Sequence, residues 1–192
     1  MARGRKVNSN GEKSKQLLRQ KAIELFSTKG YYQTKISDIV KAAEVTQPTF
    51  YLYFDSKDAL FSDLNRQFQD NLFTIFDEYQ SNHDRQLTLI VENLLKYFAA
   101  NPLLTKIGMY QSEAAYAVKE KLVEKFEQIL TVHYRYNLNG LQSDIHIIAQ
   151  SLMGSIERLT FTLLLTHRKT AKELAHDLLS IYLMDKEELV AG

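Results

Sequence analysis

No cysteine occurs anywhere in this chain, which excludes disulfides, thiolate catalysis and cysteine-ligated zinc. No run approaches the roughly 18 unbroken apolar residues of a membrane span, and the opening stretch MARGRKVNSNGEKSK lacks the apolar core of a secretory signal. A cytoplasmic chain with no membrane partner is therefore expected. Glycine-rich phosphate loops, G-x-S-x-G elbows and H-E-x-x-H pairs are missing too. His83, His133, His146, His167 and His176 stand too far apart for a local ligand cluster. No enzyme, cofactor or metal site is expected. Two prolines, Pro48 and Pro102, and seven glycines leave little turn chemistry for an all-β fold. The expected class is all-α.

What is present is a large apolar fraction, 45% of 192 residues, and an uneven charge. The first 60 residues hold 11 Lys/Arg against 6 Asp/Glu, while the remainder holds 13 against 17. A basic end suits a polyanion, and it equally suits a solubilising tail.

Between Glu12 and Lys29 the residues Leu18, Ala22, Leu25 and Phe26 recur with helical spacing, and Gly30 stops that helix. A second helix is predicted from Lys35 to Ala43, capped by Thr34, with Ile36, Ile39, Val40 and Ala43 facing inward. Thr46 can cap a third, which tolerates Pro48 in its first turn because no N–H is needed there. In EVTQPTFYLYFDSK, residues 44 to 57, Phe50 and Phe54 lie four apart and hold this helix down. Gln47, Pro48, Thr49, Tyr51 and Tyr53 would then be presented outward. A short helix pinned across a tight turn is a helix-turn-helix, whose second helix enters a DNA major groove. In one competing reading Tyr51 and Tyr53 only cover a neighbouring helix; in another the chain is a helical adaptor whose head binds a protein, with the basic end as surface charge.

The run YYQTKISDIVKAAEVTQPTFYLYFDSKDALF, Tyr31 to Phe61, resembles the N-terminal domain of TetR-family transcriptional regulators. The matching positions are Thr34, Ile39, Ala43, Val45, Tyr51, Phe54, Lys57 and Leu60. Glu44 departs from the glycine usual in that turn, so it must accept a tight backbone, with αL one of the conformations open to it. By their chemistry Gln47 and Thr49 can bond base edges and Pro48 can meet a thymine methyl. The resemblance implies phosphate contacts at Thr34, Tyr51, Tyr53 and Lys57, next to the capping Thr46. The recognition helix has no Lys or Arg, so electrostatic attraction falls to Lys35, Lys41, Lys57 and the tail residues Arg3, Arg5, Lys6, Lys13 and Lys15.

Further helices are predicted from Lys57 (capped by Ser56) to about Tyr79, Asp84 to Ala100, Leu103 to Gly108, Ser112 to Tyr136, Ser143 to His167, and Thr170 to Met184. Asn101 and Pro102 interrupt them, as does NLNG at 137–140. The expected division is an arm and DNA-binding head over 1–56 and a ligand-binding and dimerisation domain over 57–192. The last two helices, about 143–184, carry apolar residues most of the way round, so a second subunit or an intramolecular core must cover them. The resemblance implies a homodimer built on those helices and a cavity for a small-molecule effector. Candidate wall residues are Phe68, Phe76, Tyr97, Phe98, Met109, Tyr110, Tyr116, Phe126 and Tyr134, with Glu113 or Arg158 for a charged group. Aromatics at this spacing also suit ordinary core. The function this implies is a repressor on a palindromic operator of double-stranded DNA, released by an apolar or aromatic ligand.

Overall fold

The computed structural model describes residues 8–77, 86–137 and 145–182. Among them are nine α-helices: α1 (Asn8–Lys29), α2 (Ile36–Ala42), α3 (Gln47–Tyr51), α4 (Lys57–Asp77), α5 (Gln86–Ala100), α6 (Pro102–Lys106), α7 (Ala115–Asn137), α8 (Ile145–Leu159) and α9 (Ala171–Tyr182). One π-helical turn, Ile107–Gln111, follows α6, and another, Thr160–Leu164, follows α8. The tail residues Arg3, Arg5 and Lys6, and the predicted helix ends at Tyr79, Asp84, Ser143 and Met184, lie outside the described residues, as does most of NLNG. No helix among the described residues is long and apolar enough to cross a membrane.

The chain packs as two compact units, which take in the described parts of Met1–Phe68 with Leu103–Ser112, and of Gln69–Pro102 with Glu113–Gly192. The division falls inside α4, whereas the sequence places a boundary at 56/57. Leu60, Leu64 and Phe68, on the first half of α4, are fully buried in the first unit.

In that unit Leu18, Ala22 and Phe26 bury one face of α1. Gly30, with φ +95°, closes the helix by donating to the Phe26 carbonyl at 3.1 Å. Only glycine adopts that backbone readily. The cap of α2 is Lys35, not Thr34. Thr34 is wholly buried and its hydroxyl turns back to the carbonyls of Gly30 (2.7 Å) and Leu25 (3.4 Å), at the end of α1. Glu44 has φ +53°, the left-handed turn its place in the motif requires. Arg19 grips Asp63 through two nitrogens at 2.6 and 3.1 Å and so ties α1 to α4. Leu104, Ile107 and Met109 of the inserted segment are buried, and Lys106 donates to the Ser27 carbonyl at 2.8 Å. Phe68 lies so close to Gly108 that a Cβ there would stand 2.2 Å from a ring carbon.

The second unit packs α5 against α9 and α7 against α8. Its core holds Leu94 and Phe98 of α5, Leu122 and Phe126 of α7, Leu152 and Ile156 of α8, and Leu174 and Leu178 of α9. Lys119 bridges to Glu157 at 2.7 Å. Thr170 caps α9 through a reciprocal pair, its hydroxyl accepting from Glu173 N–H at 3.2 Å while its own N–H donates to the Glu173 carboxylate at 2.8 Å.

Candidate nucleic-acid interface

The candidate surface is built on α3. Thr46 opens the helix by accepting the Thr49 N–H at 3.3 Å, and the two hydroxyls bond each other at 2.8 Å. Phe50 and Phe54 are buried, their rings 5.7 Å apart. The helix itself ends at Tyr51, earlier than Phe54. Phe54 still donates its N–H to the Phe50 carbonyl at 3.0 Å, which keeps both rings on the inner side. With that side anchored, Thr46, Gln47 and Pro48 stand in solvent, Tyr51 is 49% exposed, and Thr49 and Tyr53 are half-buried.

Leu52 was not among the expected residues, yet it is 77% exposed at the end of this helix. It lies two positions beyond buried Phe50, about 200° round a helix, and that offset is readable from sequence. Tyr32, 83% exposed in the turn before α2, gives no such signal.

Lys35 and Lys41 are exposed, as expected of groups that attract phosphate. Lys29 reaches the Asp38 carboxylate at 2.6 Å, and that carboxylate also accepts the Lys35 N–H at 3.1 Å. These contacts, the Lys29 hydrogen bond foremost, hold the Asp38 pKa below its ordinary value. One expectation is corrected here. The Thr34 hydroxyl is directed inward and fully covered, so it is no phosphate contact. Lys57 is half-buried, and its ammonium donates to the carbonyls of Tyr31 (2.9 Å) and Thr34 (3.0 Å) and lies 4.2 Å from the Tyr31 ring centre.

The expected effector-binding residues are split. Phe68, Met109 and Tyr110 belong to the first unit and the others to the second. Phe76, Phe98 and Phe126 are buried in the second unit, with the Phe76 and Phe126 rings 5.4 Å apart. Tyr97 is half-buried, and burial raises its pKa despite a hydrogen bond with Asn71. Tyr110, Glu113, Tyr116 and Arg158 are exposed, so they line no buried wall within their own unit. Their helical spacing did not distinguish inward from outward faces. Tyr134 lies on α7, and its side chain is outside the described residues. Thr160 carries no signal in the sequence, and its hydroxyl is buried in the π-helical turn with no hydrogen-bond partner among the described residues. Among the described residues no cluster of three His, Asp or Glu could hold a metal ion.

Comparison with known proteins agrees with this geometry. Residues 18–64 match the family model for bacterial regulatory proteins of the tetR family. The chain is 30% identical over 182 residues to the HTH-type transcriptional regulator YdgC of Bacillus subtilis (strain 168), covering 91% of this chain and 93% of that one. Its fold is similar to that of a TetR-like transcriptional regulator from Rhodococcus sp. RHA1, with a TM-score of 0.75 at 20% identity over 87% of this chain and 92% of that one. It is also similar to the regulator FadR from Bacillus subtilis, solved in complex with stearoyl-CoA, with a TM-score of 0.67 at 19% identity over 88% and 98% of the two chains. The protein belongs to the TetR family and is a DNA-binding transcriptional regulator.

Proposed function

We propose that the protein is a repressor that binds a palindromic operator as a homodimer and is released by a small apolar or aromatic molecule. The observation that carries the DNA half is α3 itself, capped by Thr46, pinned by Phe50 and Phe54, and presenting Gln47 and Pro48 to solvent. Gln47 suits adenine and Pro48 a thymine methyl, while Tyr51 and Tyr53 suit phosphate oxygens.

Support for the dimer comes from the outer face of α8. Ile147, Ser151, Gly154 and Arg158 are all exposed and recur at helical spacing, and Ile147 is 61% exposed. No side chain or backbone atom would meet a Cβ on Gly154 within 4 Å, so a partner helix could approach there. On α9, Ile181 is 68% exposed. A second copy of these helices would cover both isoleucines, and a dimer would space two α3 helices by about one turn of DNA, roughly 34 to 36 Å. In the double variant Ile147→Glu, Ile181→Glu, sedimentation equilibrium should show a monomer; a persisting dimer would place the interface elsewhere.

An effector acts by population shift, favouring a dimer whose heads fit the operator poorly, and it lowers DNA affinity by no more than its own preference for that state. The stearoyl-CoA held by FadR makes long-chain acyl-CoA the first probe. Selection of bound sequences from a random duplex pool is the primary experiment. An enriched palindrome supports the reading, and no enrichment overturns it. Operator binding unchanged by saturating acyl-CoA and by planar aromatic compounds would remove the effector from the mechanism.

A further inference from the structure

We propose that Lys57 is a positioning residue of the DNA interface: it clamps the α1–α2 turn in the shape that sets Lys35 against the phosphate backbone. The inference rests on the operator-binding reading above.

Residues Tyr31 to Thr34 form a four-residue turn, closed by the Thr34 N–H donating to the Tyr31 carbonyl at 3.3 Å. Tyr32 and Gln33, at its tip, are exposed. The Thr34 hydroxyl holds the turn to the end of α1 through the Gly30 carbonyl at 2.7 Å. From the other side Lys57 takes the carbonyls at both ends of the turn, at 2.9 and 3.0 Å. A lysine ammonium has three donors. Two are used on these carbonyls, and the Tyr31 ring lies under the charge, 4.2 Å away at its centre. That ring is itself fixed, at 5.3 Å from Phe26 and 4.6 Å from Phe61, and its hydroxyl bonds Asp58.

The position of Lys57 is otherwise unfavourable. It is the first residue of α4, where the positive end of the helix dipole disfavours a cation. Two carbonyls and an aromatic face offset that repulsion without any DNA present. The clamp also fixes the Thr34 carbonyl, which shares its peptide plane with the Lys35 N–H, and that N–H is held by Asp38 at 3.1 Å. Lys57 thus fixes the backbone from which the exposed Lys35 side chain projects.

The test compares full-length Lys57→Met, Lys35→Met and the double variant on the selected operator, with affinity measured across a salt series. Lys35→Met should flatten the log–log salt dependence by about 0.9 per copy, as a lost phosphate contact does. Lys57→Met should lose roughly tenfold in affinity, about 1.4 kcal/mol, and flatten the salt slope as Lys35→Met does, because the same phosphate contact is lost. The double variant should lose less than the product of the single losses, because both act on one contact. A slope that falls further in the double variant than in Lys35→Met alone would make Lys57 a direct phosphate contact. Unchanged affinity with a lower melting temperature would make it a stabilising residue only, and strictly multiplicative losses would separate it from Lys35. Should Lys57→Met fail to fold, Tyr31→Leu removes the ring under the ammonium and leaves the charge. It should weaken binding and flatten the slope as Lys35→Met does, and retained or tighter binding would overturn the clamp. Wild-type protein without sequence preference would sink the operator reading itself, independently of these variants.

Discussion

Replacing Phe50 by alanine separates the anchoring side of α3 from its reading side. Phe50 is fully buried, with its ring 5.5 Å from Tyr51 and 5.7 Å from Phe54. A buried phenylalanine removes at least about 150 Å² from water, which at about 25 cal/mol per Å² corresponds to roughly 4 kcal/mol. Measured Phe→Ala losses in cores, about 3 to 5 kcal/mol, agree with that value. Against a total stability of about 5 to 15 kcal/mol the loss is severe, and for a chain of this length it corresponds to a melting point lower by roughly 6 to 20 °C. Urea unfolding followed by circular dichroism, with an unchanged m-value, measures it. Tyr51→Phe is the counterpart: its side chain is half in solvent, so stability should change by less than about 0.5 kcal/mol. Operator affinity should fall by about 0.5 to 1.5 kcal/mol per copy for the lost hydroxyl bond. If Phe50→Ala cost less than about 1 kcal/mol while Tyr51→Phe unfolded the head, α3 would face the opposite way and the reasoning would be refuted.

Asp63 makes the head acid-sensitive. Burial pushes its pKa up, but the hydrogen bonds and charges of Arg19, with Arg66 beside them, outweigh burial and leave it below the ordinary value. A depressed carboxylate contributes stability above its unfolded pKa of about 3.9 and loses it as pH falls through the folded value. Acid unfolding of Arg19→Met should therefore begin at higher pH than in the wild type, and coincident curves would refute the linkage. Thr160→Val replaces a buried hydroxyl without a partner by a group of similar shape, and the melting temperature should rise by an amount equivalent to about 1 kcal/mol; a fall of that size would show that the hydroxyl is bonded. Gly108→Ala drives a methyl into the Phe68 ring and should cost about 1 to 3 kcal/mol in urea unfolding. Adding Phe68→Leu should return part of that loss, and additive losses would show that the two sites do not touch.

Local chemistry was legible along the chain. The stop at Gly30, the caps at Thr46 and Ser56, and the break at Asn101 and Pro102 depend on interactions within a few residues, so the sequence carries them. The left-handed backbone of Glu44 followed from its place in the motif, although its side chain does not favour it. The burial of Phe50 and Phe54 followed from their spacing. Spacing failed where a helix has several neighbours. Tyr116 and Arg158 stand at helical intervals from buried residues and are nonetheless exposed, because the choice of covered face depends on which helices lie alongside.

The sequence by itself determined the helical class, the motif around α3 and its apolar anchor, since propensity, capping and periodicity act over one or two turns. Only tertiary structure decided the work of Lys57. Thr34 bonds the Gly30 carbonyl four residues back, a local alternative to capping α2, whereas the partners of Lys57 are carbonyls 26 and 23 residues away. A hydroxyl or an ammonium can serve phosphate or a backbone carbonyl equally well, and which it serves is fixed by what folding brings within about 3 Å.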